Sequence, residues 1–226
     1  MKEYLIDNFE KLHNVLMESY DRIQHSLFRG QANSDWNLVT KAGRHEYADM
    51  PDLDRFRIWK KFAIAYTKLN LLDDWHCLAL AQHHGLATRL LDWSFNPLVA
   101  CYFAIDENFD DVNGVIFKYD PLKQIDLSKK SIFNCDITAP FRPNYICNRQ
   151  VAQQGCFTYH SNPKQSFQDN VNLKIIIPKD IKPELRRVLD LYGINHQTMF
   201  PDLDGLSKYR NWRSMDIVKH KGLIPN

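Results

Sequence analysis

The sequence predicts an α+β fold, mixed and mostly antiparallel, with small sheets flanked by helices. Three observations predict it. Apolar residues recur at three- and four-residue steps through the first part of the chain. Short β-branched runs bounded by glycine or proline come later. The two kinds of segment follow no regular βαβ alternation. With 226 residues, 44% of them hydrophobic and 25% charged, one domain can build a sizeable core without disulfides or metals.

Leu5, Ile6, Phe9, Leu12, Val15, Leu16, Tyr20 and Ile23 follow helical spacing, which predicts an amphipathic helix over residues 3–24. Ser26 to Gln31 reads as a short strand ending near Gly30, and Trp36 to Val39 as a second extended piece. Asp52 or Asp54 caps a helix running to about Leu72, with Phe56, Trp59, Phe62, Ala63, Tyr66 and Leu69 on its apolar face. Another helix spans Asp74 to His84 and stops at Gly85, the residue type that best tolerates the left-handed conformation after a helix end. Thr88 to Trp93 is extended. Ser94 or Asn96 then caps a buried helix that begins at Pro97, where the missing N–H costs nothing.

Further along, Gly114 to Tyr119 and Leu173 to Ile177 read as strands, and Lys182 to Tyr192 as a helix ending at Gly193. A final helix runs from near Pro201 to about Arg213. Residues 120–170 are rich in Asn, Pro, Ser and Gln, with short strands expected only around Ile132 and Gly155. The chain shows no internal repeat and no low-complexity tract.

Charge narrows the function. The 29 basic and 27 acidic side chains leave a net +2, which argues against a dedicated electrostatic nucleic-acid or membrane binder. Cys77, Cys101, Cys135, Cys147 and Cys156 include no C-x-x-C pair, and an odd count fits a reduced cytoplasmic chain rather than a disulfide framework or a zinc site. The N-terminus lacks the apolar run of a signal peptide, and no apolar stretch approaches a membrane span. The expectation is a soluble cytoplasmic protein.

Two stretches pack costly polar residues among apolar ones. In Phe28-Arg29-Gly30-Gln31, a permanently charged guanidinium sits in strand-like surroundings; it suits a carboxylate or phosphate ligand, or an internal ion pair. In Ala81-Gln82-His83-His84-Gly85-Leu86-Ala87-Thr88-Arg89-Leu90-Leu91-Asp92-Trp93, histidines, a hydroxyl, an arginine, a carboxylate and an indole precede the buried helix. Adjacent histidines on a helix point different ways, so no metal is expected there. Arg89 and Asp92 could pair with each other, yet the helix start at Asn96-Pro97 offers free N–H groups to an anion, with Thr88 and Ser94 beside it.

Residues 27–44, LFRGQANSDWNLVTKAGR, resemble the opening of the FRG domain, and residues 78–104, LALAQHHGLATRLLDWSFNPLVACYFA, resemble its longest signature. Ala87 stands where that family usually has proline. Residues 114–119 and 175–213 are similar to its later parts, so the resemblance implies an N-terminal helix (1–25), an FRG domain (26–213) and a C-terminal tail (214–226). Some members sit in bacterial and phage conflict systems, which implies a toxin or phage-defence role.

A more distant resemblance is to the ADP-ribosyltransferase superfamily, with NAD as substrate. It implies that Phe28-Arg29-Gly30 is the first element, Thr88 to Trp93 with the following helix the second, and residues 149–158, RQVAQQGCFT, the third. Gln154 (or Gln153) then takes the place usually held by glutamate. Arg29 and Arg89 would hold the pyrophosphate, with Gln31, His83 and Thr88 as further contacts, and Trp93 or Tyr102 the nicotinamide wall. Glutamine cannot act as a base, so Asp92, Asp202 or Asp204 becomes the candidate proton acceptor. Asp202 and Asp204 equally suit a helix start. The acceptor would be a protein or nucleic acid. Two other readings stand beside this one: a non-catalytic nucleotide- or nucleic-acid-binding module, and a structural domain in which Arg29, Arg89 and Asp92 form a buried ion network. Nothing resembles the spaced carboxylates of a magnesium nuclease.

Overall fold

A computed structural model describes residues 1–20, 26–67, 73–143 and 148–220. The expected helix over residues 3–24 divides there. Lys2–Leu5 form strand β1, and helix α1 occupies only Phe9–Glu18, started by the Asn8 side chain accepting from Lys11 N–H. The end of that expectation, including Ile23, lies outside the described residues, as do Leu69, Leu72 and Cys147.

The remaining elements are β2 (Leu27–Gln31), α2 (Asp52–Ala63), α3 (Asp74–His83), β3 (Leu90–Ser94), α4 (Pro97–Ala104) and β4 (Gly114–Tyr119). They continue with β5 (Ala139–Phe141), α5 (Asn148–Ala152), β6 (Gly155–Tyr159), β7 (Val171–Ile177), α6 (Lys182–Leu191), α7 (His196–Met199) and α8 (Leu203–His220). Trp36 to Val39 form no strand, and neither does Ile132, which is a buried loop residue. Asn96, not Ser94, caps α4 by accepting from Leu98 N–H.

The fold is α+β, as expected, with one correction: the strands join in a single seven-stranded sheet of order β1-β7-β4-β2-β3-β6-β5. Only the β1–β7 edge is parallel. Strand alternation sorts the side chains into two faces. Phe28, Ile116, Ile175 and Ile177 meet α1, α4 and α6 in one core cluster, and Leu90, Phe157 and Tyr159 meet α2 and α3 in a second on the same side. Leu27, Leu91, Trp93, Val115, Phe117 and Tyr119 lie on the opposite face, covered by Leu38 and Phe167 from loops.

Helix α4 lies hard against the sheet because the strands below it are bare. A Cβ on Gly30 would stand 1.8 Å from the Ala100 carbonyl oxygen, and one on Gly114 2.1 Å from that of Ala104. Small residues on both sides permit this approach.

The sheet also parts in the middle. β2 pairs with β4 at five positions and β3 with β6 at five, yet β2 and β3 meet only at Phe28 and Ser94. Beyond that pair the two halves separate. Arg29, Gly30 and Gln31 border one side of the gap, and Asp92 the other.

Candidate functional site

The parting strands open into a cleft of about 680 Å³, walled by α3 on one side and α4 on the other, with α5 at the rim. Arg29 spans the gap. Its Nη1 donates to the Asp92 backbone carbonyl at 2.8 Å and stands 3.7 Å from the Asp92 carboxylate. The guanidinium thus occupies a place where a strand-to-strand hydrogen bond would otherwise run. Its buried Nε has no hydrogen-bond partner, and neither does the buried Oε1 of Gln31, two residues along the same face. Burial holds the Arg29 pKa below its ordinary value; Asp92 opposes that shift and Arg44 adds to it. An anion entering the cleft meets a donor already stripped of water and only loosely paired.

Asp92 is held from the other side. Gln82 Nε2 donates to its Oδ2 at 2.9 Å, and Thr88 Oγ1 donates to Gln82 Oε1 at 2.6 Å. His83 and His84 stand edge-on to each other, ring centroids 5.2 Å apart, and both border the cleft. Burial lowers the His83 pKa, and the nearby Arg149 and His84 add to the effect while Asp92 opposes it. Arg44 and Arg149 bring the lining to three guanidinium groups against the carboxylates of Asp92 and Asp106. Phe103, Phe157 and Trp36 supply ring surface. Among the described residues no group of three or more His, Cys, Asp or Glu side chains is placed to hold a metal ion.

The structure brings together Arg29, Gln31, His83 and Asp92 from the residues singled out in the sequence. Trp93, Ser94 and Gln153, the alternative to Gln154, also border the cleft, whereas Thr88, Arg89, Tyr102, Gln154, Asp202 and Asp204 do not. Arg89 points away and forms a two-pronged pair with Asp52, at 2.7 Å through Nε and 2.7 Å through Nη2, and also donates to Tyr159 Oη and the Ser161 carbonyl. Its partner is therefore Asp52, not Asp92. Desolvation would lower the Arg89 pKa, but the bonds and charge of Asp52 outweigh it and the net shift is upward. Four of its five N–H donors are thereby engaged away from the cleft.

Thr88 is fully buried and reaches the cleft only through Gln82. Trp93 borders the cleft but offers no open ring face, being 3% exposed. Its indole donates to Thr158 Oγ1 and packs on Tyr119 and Phe167 across the sheet. Tyr102 lies in a neighbouring cavity of about 430 Å³, its hydroxyl 2.6 Å from His196 Nδ1. Gln154 does not border the cleft either. It is the turn residue between α5 and β6, with φ of 46°, and its carbonyl accepts from Phe95 N–H. Asp202 caps the start of α8 through Gly205 N–H, and both it and Asp204 line the neighbouring cavity.

Sequence reasoning missed Gln82, His84, Arg44 and Trp36 as cleft residues, and within the 149–158 segment it singled out Gln154 or Gln153 rather than Arg149 and Gln150. Gln82 and His84 stood in the segment already singled out, and helical spacing places Ala79, Gln82 and His83 toward one side of α3. Arg44 and Trp36 come from a loop, for which no periodic signal exists.

Across the described residues, no helix is long and apolar enough to cross a membrane. Cys77, Cys101, Cys135 and Cys156 are buried. No curated protein and no solved structure matches this chain. A family model does: residues 24–112, which include β2, α2, α3, β3 and α4 and with them both sides of the parted sheet, match the FRG domain.

Proposed function

We propose that the cleft binds NAD as a substrate and that the protein is an NAD-dependent ADP-ribosyltransferase-like enzyme. It would transfer ADP-ribose to a protein or nucleic-acid acceptor, or to water as an NAD glycohydrolase. The observation that supports this most is the Arg29 guanidinium, desolvated and loosely paired, at the edge of a cleft large enough for a nucleotide. The pyrophosphate would sit on Arg29, with Arg44 and Arg149 adding positive charge. Phe103, Phe157 or Trp36, rather than Trp93 or Tyr102, would face the nicotinamide ring. Asp92 replaces Gln154 as the acting side chain, because it is a carboxylate and borders the cleft.

The chemistry balances without an oxidant. The bond between nicotinamide nitrogen and ribose C1′ breaks, and its electron pair neutralises the pyridinium as nicotinamide leaves. The oxocarbenium-like centre at C1′ is stabilised by the Asp92 carboxylate, comparable to glycoside hydrolysis. An oxygen of the acceptor, or of water, forms the new bond at C1′ and gives its proton to Asp92. We place the reaction in the cytoplasm, in a toxin or phage-defence effector, and take the domain to run over residues 26–213 because β4, β6 and β7 share the sheet.

Release of nicotinamide from isotopically labelled or fluorescent NAD by wild type, and its loss in Arg29→Ala, tests the proposal. Absence of turnover together with absence of NAD binding by calorimetry overturns it. The lack of a glutamate along the cleft favours a second reading, a nucleotide- or nucleic-acid-binding module without turnover. That reading predicts thermal stabilisation by ligand that Arg29→Ala abolishes, with the ligand recovered unchanged.

A further inference from the structure

We infer that Gln82 is the positioning residue of this cleft, locked by Thr88 so that it pins one oxygen of Asp92 and leaves the other for a ligand hydroxyl. The functional half of this rests on the nucleotide reading above; the lock itself does not.

An Asp92 side chain that is 59% exposed would not hold one orientation by itself. Three linked groups supply the constraint. Thr88 is fully buried and its Oγ1 accepts the Leu90 N–H at 3.2 Å, so its own proton is directed to the one close acceptor, Gln82 Oε1, at 2.6 Å. That settles which end of the Gln82 amide is which. With Oε1 turned to Thr88, the Nε2 group must face Asp92 Oδ2, and it lies there at 2.9 Å. A flipped amide would set its oxygen against a carboxylate and leave the Thr88 proton without a partner.

The result is directional. Asp92 Oδ2 is bonded by Gln82 and lies toward Arg29 Nη1, 3.7 Å away, and among the described residues no hydrogen bond reaches Oδ1. Arg29 from β2, His83 from α3 and the Cys156 thiol from β6 are titratable groups that feel the Asp92 charge. A ligand that lays a phosphate on Arg29 therefore finds a free carboxylate oxygen beside it, suited to a sugar hydroxyl donor. Ribose-bearing nucleotides carry both groups. Gln82 touches neither the reacting atoms nor the phosphate here; it acts through Asp92.

The test compares wild type with Gln82→Ala, Thr88→Val and Thr88→Ser, each first shown folded by circular dichroism. The Gln82 side-chain amide signals are followed by nitrogen–proton NMR, and NAD affinity by calorimetry. Thr88→Val should shift the Gln82 amide signals away from their carboxylate-bonded position, and Thr88→Ser should keep them. Gln82→Ala and Thr88→Val should weaken NAD binding by about tenfold, the scale of one hydrogen bond to a charged group. Thr88→Ser should retain wild-type affinity. Unmoved Gln82 signals in Thr88→Val overturn the lock, and moved signals with unchanged NAD affinity overturn the positioning role. A wild type that binds no NAD overturns the nucleotide reading instead, and the amide signals alone then decide the lock.

Discussion

Two arginines of similar sequence setting have opposite structural roles, and their removal should differ accordingly. Arg89 is paired at two points with Asp52, which is itself 6% exposed. Removing either partner strands the other's charge, so Arg89→Ala or Asp52→Ala should cost ~3–5 kcal/mol in urea denaturation. Arg29 has one peptide carbonyl and one exposed carboxylate at 3.7 Å, and burial disfavours its charge. Arg29→Ala should change stability by less than about 1 kcal/mol. That outcome separates the site reading from a structural ion network centred on Arg29, which requires a large loss. The sequence showed both arginines as costly, but it could not show which carboxylate each would meet. Asp52 lies 37 residues from Arg89 in the chain. His160 adds a pH dependence. It is 2% exposed, shares a 2.8 Å hydrogen bond between Nε2 and the Thr158 hydroxyl, and lies near Arg29. Burial first, and the Arg29 charge second, push its pKa from 6.5 down to about 4. A depressed histidine pKa means the folded state prefers the neutral ring, so this contribution is complete above pH 6.5 and is lost as pH falls toward 4. The loss is on the order of 3 kcal/mol. Urea midpoints measured between pH 7 and pH 4 should fall more steeply for wild type than for His160→Asn.

Among the elements, α4 and the strands beneath it are the best determined and the least tolerant. The Asn96-Pro97 start and the apolar run after it were legible, because capping and a missing N–H act locally. Gly85 as the end of α3 was legible for the same reason, and its φ of 85° bears it out. Gly30→Ala should cost at least ~1–3 kcal/mol and displace α4, since the new methyl would meet the helix backbone at the Ala100 carbonyl and the Ala104 nitrogen. Thermal melting together with near-ultraviolet dichroism checks both effects. Unchanged stability would mean that α4 does not approach β2 as closely as described. Other elements were illegible for physical reasons. Leu5 and Ile6 continue the spacing of α1 but belong to an edge strand and its end, held by pairing with β7 over 170 residues away. The stripe expected to run to Leu72 outlasts α2, which ends at Ala63: Leu53, Phe56, Trp59 and Ala63 pack on the core, whereas Phe62 and, beyond the helix, Tyr66 are 70% and 88% exposed. Strand β5 and helices α5 and α7 are three to five residues long, too short for periodicity to register.

At the scale of the whole molecule, the feature that makes the cleft is a join of two half-sheets at one residue pair, Phe28 and Ser94. No local pattern encodes it. β2 and β3 are each ordinary strands in sequence, and each is paired along its full length with its other neighbour, β4 or β6, while the two meet each other at one residue pair. The sequence therefore revealed the segments that border the cleft, 27–31, 82–94 and 149–158, but not that Thr88, Arg89, Tyr102 and Gln154 lie outside it. The most direct measurement is hydrogen–deuterium exchange of the whole chain with and without saturating NAD. Added protection confined to residues 28–31, 79–84, 92–94 and 149–156 is the predicted result. No change in those segments, or protection gathered instead around α6 and α8, would contradict a ligand seated where the sheet parts.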